Sequence, residues 1–111
     1  NNFLVKIEEL KQLSNEIKFL FHDNNGVLLE NFIMEYQNVL MELYKYQIML
    51  DSMMNDNIPR KNKPTYNELQ NEYGELKHRH RLYDAIDDLK KSYHEVVSKK
   101  VINKIEKSIK L

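Results

Sequence analysis

The sequence predicts an all-α fold: an antiparallel three-helix bundle whose last helix is long and bent or split into a fourth. Three observations carry that expectation. Apolar residues recur at steps of three and four along most of the chain, which lays a stripe on one side of a helix and does not match the two-residue period of a strand. Two glycines and two prolines leave little turn chemistry, so long uninterrupted elements are expected and hairpin-rich β architectures are not. A length of 111 residues suits one core of ordinary size, so residues 1–111 read as a single helical-bundle domain. The opening Asn1-Asn2 and an amphipathic run still unfinished at the last residue suggest a piece of a longer protein.

The first helix is expected over residues 3–22, where Phe3, Ile7, Leu10, Ser14, Ile17 and Phe21 form one stripe that Leu13 and Leu20 widen. Asn2 can cap it, and His22-Asp23-Asn24-Asn25-Gly26 ends it with residues that tolerate turn conformations. The second helix, residues 27–55, has the most regular pattern. Leu29, Phe32, Tyr36, Val39, Leu43, Tyr46, Leu50 and Met53 alternate steps of three and four without exception. Ile33, Leu40, Tyr44 and Met54 broaden its apolar surface, so this helix should contact two neighbours from the centre of the bundle.

Asn55 to Lys63 is the one clear linker, with Pro59 and Pro64 near its far end. Thr65 followed by Glu68 has the form of a capping box and opens the third helical segment. From there to Lys110 a single helix would run roughly 69 Å at about 1.5 Å per residue, too long for the others to cover. The segment therefore either bends back or projects toward another chain, and a break is expected between His80 and Ser98. Two successive steps of three beside His80 form a stammer, a place where a packed helix overwinds. Gly74 reads as a helix-interior glycine costing ~1 kcal/mol relative to alanine, which either a close backbone crossing or simple tolerance explains.

Composition excludes several functions. Without cysteine there are no disulfides, thiolate metal sites or thiol nucleophiles. No run approaches the ~20 apolar residues needed to span a bilayer. Seventeen basic residues balance seventeen acidic ones, so no net field draws the chain toward a polyanion. The halves differ: residues 1–56 hold four lysines against nine carboxylates, whereas residues 57–111 hold thirteen basic groups against eight acidic ones. Complementarity between packed helices accounts for that split, and a basic C-terminal face is the alternative. The preference for Asn, Lys, Ile and Tyr follows AT-rich codons and suggests an AT-rich genome, as in malaria-type parasites or low-GC bacteria and their phages, without bearing on activity.

No motif carries chemistry. Asp23-Asn24-Asn25-Gly26 resembles part of a calcium loop, but with Gly26 at its sixth position the first and twelfth ligands would be Phe21 and Phe32. His80, Asp84 and Asp88 share one side of a helix, yet no paired-histidine zinc signature accompanies them, and His80 is expected half-buried and hydrogen-bonded, with Arg79 paired to Glu75. No serine elbow or phosphate loop is present, so no enzyme activity, cofactor or metal is expected.

Two surfaces are candidates for binding. Met49, Met53 and Met54 with Tyr46, His80 and Tyr83 form a candidate interaction surface, because flexible thioethers and amphipathic rings adapt to partners. Lys99, Lys100, Lys104 and Lys107 form a candidate polyanion surface on the last helix. The expected function is a non-enzymatic helical module that binds another protein or a copy of itself. Contact with an anionic membrane surface or nucleic acid through the lysine-rich helix is the alternative.

Overall fold

The computed structural model describes residues 2–21 and 23–109, so expectations resting on His22 and Lys110 lie outside the described residues. The chain is all-α, and five helices account for its described secondary structure: α1 (Asn2–Leu20), α2 (Asn24–Met54), α3 (Tyr66–Tyr73), α4 (Glu75–Ser98) and α5 (Val101–Ile109). No strand occurs among the described residues.

α1 begins at Asn2 itself. α2 starts three residues earlier than its apolar period indicates, because Asp23 caps it: the carboxylate accepts the Gly26 N–H at 3.0 Å. Gly26 is buried in that first turn, where a Cβ would lie 2.5 Å from both the Cβ and the carbonyl oxygen of Phe21. The tight turn between α1 and α2 thus depends on the missing side chain. α3 opens with the capping box read from the sequence: Thr65 Oγ1 accepts the Glu68 N–H at 3.1 Å, and Glu68 Oε1 accepts the Thr65 N–H at 3.2 Å.

The break expected between His80 and Ser98 is absent. α4 runs unbroken through that stretch, stammer included, and the third segment divides elsewhere, twice. Gly74 adopts a left-handed conformation, φ 72° and ψ 36°, ending α3 and starting α4. It is therefore a helix terminator and not a tolerated interior glycine. The second division follows Ser98, at Lys99 and Lys100, and Lys100 takes φ 50° without being glycine. Such a residue costs about 1–2 kcal/mol. The next residue, Val101, is completely buried, and burying a valine contributes about 1.5 kcal/mol or more, which offsets the strain.

α2 touches all four other helices, whereas α1 touches α2 alone among the described elements. Along the α1 contact the Phe3 ring lies 6.4 Å from that of Tyr44, and Gln37 Nε2 donates to the Ile7 carbonyl at 3.4 Å. Along the α4 contact Tyr46 meets Glu75, and the Phe32 and Tyr93 rings lie 6.1 Å apart. The core comprises Ile7 and Ile17 on α1, Ile33, Met49 and Met53 on α2, Leu82, Ala85 and Val96 on α4, and Val101 on α5. Tyr44, which meets α1, and Tyr46, which meets α4, are two residues and so about 160° apart around a helix of 3.6 residues per turn. α1 and α4 accordingly flank α2 on nearly opposite sides, and the molecule is thin, 71 × 25 × 15 Å.

An open face on α2 and α4

Because α2 is flanked on opposite sides, its stripe from Leu29 to Met53 is only partly covered: α4 meets it at Phe32 and Tyr46, and the part at Tyr36 stays exposed. This is the most regular stripe in the sequence, and of its eight residues only Met53 is buried. Leu29, Phe32, Val39, Leu43, Tyr46 and Leu50 are half-buried, and Tyr36 is 42% exposed. The adjoining edge of α4 continues the surface. Leu76, Tyr83, Lys90 and Val97 recur at steps of seven and so share one edge of the helix. Leu76, Tyr83 and Val97, with nearby Tyr93, are each more than half exposed. Lys90 and Tyr93 join Phe32, Tyr36, Leu89 and His94 around an open groove of about 310 Å³, which places the α4 edge beside the α2 stripe.

At the other end of the same seam the Tyr46 hydroxyl donates to Glu75 Oε2 at 2.9 Å. Glu75 is buried, also pairs with Arg79 Nε at 3.1 Å as the sequence spacing indicated, and accepts from Gln70 at 3.4 Å. Burial of the phenol, then the adjacent carboxylate, raises the Tyr46 pKa above its ordinary value. Tyr83 lies close enough to influence the same phenol.

The candidate interaction residues do not form one surface. Tyr46 and Tyr83 come together, but Met49 and Met53 are buried in the α2–α4 core, Met53 being 1% exposed. Met54 projects from the end of α2, 71% exposed, against a depression lined by Ile58, Arg60 and Pro64. The thioethers at Met49 and Met53 are core filler, because α4 covers that side of α2. His80, expected half-buried, is exposed. It stands two residues, about 200° around the helix, from buried Leu82, so the side of α4 that meets α2 carries it outward, beside Lys77, Arg81 and Asp84. Among the described residues no cluster of three or more His, Asp or Glu side chains is placed to hold a metal ion.

On the candidate polyanion surface Lys99 pairs with Glu95 at 3.0 Å, Lys100 forms the turn, and Lys104 and Lys107 are exposed on α5. No helix among the described residues is long and apolar enough to cross a membrane. Leu76, Phe32 and Val97 are not among the surface candidates of the sequence, and Phe32 and Tyr36 fall on the α2 stripe, whose spacing reads as helix packing.

No protein-family model matches the chain, no curated protein matches it, and no solved structure matches it.

Proposed function

We propose that this chain is a non-enzymatic helical protein-interaction module whose contact surface is the open stripe of α2 with the adjoining edge of α4. In this reading α1, α2 and α4 form an antiparallel three-helix arrangement left open along one side. Support for the direction comes from the paired residues: numbers rise along α1 from Phe3 to Ile7 while their α2 partners fall from Tyr44 to Gln37. The same inversion links Tyr46 with Glu75 and Phe32 with Tyr93.

The observation that carries the functional reading is the exposure of Tyr36 and Tyr93 on adjoining edges of α2 and α4 around one groove, with Tyr83 and Val97 exposed farther along the same α4 edge. Single exposed apolar residues are ordinary, but contiguous apolar surface beyond a few hundred Å² marks a contact site. Tyrosine rings suit such a site, since they bring large area with few rotatable bonds and a hydroxyl that tolerates water before the partner arrives.

The test is a photo-crosslinking amino acid placed at Tyr83 or Tyr93, with Asn38 as the control, in cells that make the whole protein. Discrete adducts from the two tyrosine positions and none from Asn38 are expected. Absence of adducts, or equal labelling from Asn38, overturns the reading.

A second reading rests on α5, which docks through fully buried Val101 while Lys104 and Lys107 stand exposed. A lysine-presenting helix of this kind binds polyanions through counterion release, with affinity falling steeply as salt rises. Flotation with anionic vesicles at low salt tests it, and failure to associate ends it.

A further inference from the structure

We propose that the groove between α2 and α4 takes an acidic segment of another protein, an apolar side chain entering between Phe32, Tyr36, Leu89 and Tyr93 while a neighbouring carboxylate meets Lys90 and His94. This rests on the interaction-face reading above and names the chemistry of the partner.

The groove combines apolar walls with polar groups that can all donate. Phe32, Leu89 and the rings of Tyr36 and Tyr93 supply the walls. At about 310 Å³ it stands at the small end of ligand pockets, ~300–1,000 Å³, with room for a side chain or two of a docked segment. Its polar groups are the Lys90 ammonium, the His94 imidazole and the two tyrosine hydroxyls, and no carboxylate lines it among the described residues.

None of these donors is already engaged. Among the described residues Lys90 and His94 form no ion pair, and the Tyr36 and Tyr93 hydroxyls form no hydrogen bond. Asp87, three residues before Lys90, does not bridge it, whereas Arg79 is neutralised by Glu75 and Lys99 by Glu95. A segment seated in the groove takes water away from Lys90, whose flexible stem can carry the ammonium only as far as the rim. A neutral segment leaves that charge unpaired there, and a basic one repels it. An ionised carboxylate is an acceptor only, and it can accept from the ammonium, the imidazole and a phenol together.

The surroundings point the same way. In the α4 row Leu76, Tyr83, Lys90 and Val97 the single charge is Lys90, and the α2 positions Leu29, Tyr36 and Leu43, at the same spacing of seven, carry none. The face is thus apolar with one basic centre at the groove. Its complement is an apolar segment with acid at its middle.

The experiment uses the 111-residue chain. The chain has no tryptophan, so the indole fluorescence of a peptide reports binding without a protein background. The probe is acetyl-Glu-Leu-Trp-Glu amide, and its control carries Gln for both Glu residues. The Glu peptide is expected to bind about fivefold more tightly, the upper range for an exposed ion pair, and to lose that preference as salt rises. The double variant Lys90→Met/His94→Gln, both at exposed positions, is expected to bind the two peptides equally with helical circular dichroism unchanged. Tyr36→Ala is expected to weaken both peptides alike. Equal binding of the two peptides by the parent chain overturns the proposal, as does a preference that survives the double variant. A light-scattering mass of twice 13.4 kDa that Tyr36→Lys returns to one assigns the groove to a second copy and overturns it too. If the acid preference fails while crosslinkers at Tyr83 and Tyr93 capture a protein, the interaction face stands. If neither peptide binds and no adduct forms, both readings fall.

Discussion

Tyr46 on α2 donates its hydroxyl to Glu75 on α4 at 2.9 Å, tying the two longest helices together where α4 begins. The carboxylate belongs at that point, because the first turn of a helix presents unpaired amides and the positive end of its dipole. Glu75 is buried, so removing a donor leaves an oxygen short of a partner it cannot replace with bulk water. Tyr46→Phe is expected to lower stability by about 1–2 kcal/mol in urea titration, and an unchanged midpoint contradicts the account. The pH dependence follows from the raised Tyr46 pKa, caused first by burial and then by Glu75. The folded chain holds the phenolic proton more tightly than the unfolded one. Its contribution is therefore complete below the ordinary tyrosine value of 10.0 and is lost as pH climbs from there through the raised folded value. Tyr46→Phe removes that alkaline slope.

Gly26→Ala is expected to destabilise the chain, although alanine is the better helix former by ~1 kcal/mol. The added methyl meets the Phe21 backbone at 2.5 Å, and a backbone atom cannot swing aside as the end of a side chain can. Overpacking of this kind costs about 1–3 kcal/mol, so the clash outweighs the propensity gain. A thermal melt falling by several degrees is the expected result, and a rise shows that the α1–α2 turn has room.

The α1 stripe and the Thr65–Glu68 box were legible because both are built from local steps: each residue is recognised from a neighbour three or four positions away, and the chemistry admits few alternatives. Gly74 was visible but ambiguous, since a tolerated interior glycine and a left-handed terminator are the same residue and only φ separates them. The α2 stripe exposes a different gap. Spacing determines which residues share a side of a helix, and it carries no information on whether another helix covers that side. Tyr36 and Tyr46 stand on the same stripe, yet one faces solvent and the other meets Glu75, twenty-nine residues away with no local pattern to link them. His80 is a related case: it stands about 200° around α4 from buried Leu82, and local spacing carries no information on which side of α4 meets α2.

The end of α2 is tied to α3 by charge. Arg60 bridges Asp56 at 2.8 Å and Glu72 at 2.5 Å, and the Tyr73 hydroxyl donates to Asp56. That hydroxyl first, with the Ile58 N–H and Arg60, holds the Asp56 carboxyl below its ordinary value of 3.8. The stabilisation is therefore present above the ordinary value and is lost as pH falls from there through the depressed folded value. Tyr73→Phe is expected to shrink the loss of stability between pH 6 and pH 3, because the folded value moves back toward the unfolded one. An acid-unfolding profile parallel to that of the parent chain rules the arrangement out.

The two breaks in the third segment make opposite demands on glycine. At Gly74, φ 72° penalises any side chain, so Gly74→Ala is expected to cost about 1–2 kcal/mol even though nothing lies within 4 Å of the new methyl. Were α3 and α4 one continuous helix, the same substitution would stabilise by ~1 kcal/mol. At Lys100, φ 50° places a lysine where glycine is at ease, so Lys100→Gly is expected to gain up to about 1 kcal/mol, less whatever the more flexible unfolded chain takes back. A helix running straight through Lys100 would instead lose ~1 kcal/mol on that change. The sign of each ΔΔG, read from urea titrations of the two single variants, thus reports whether the chain turns at both places. A stabilising Gly74→Ala or a destabilising Lys100→Gly would restore the long projecting helix and leave Val101 without the turn that buries it.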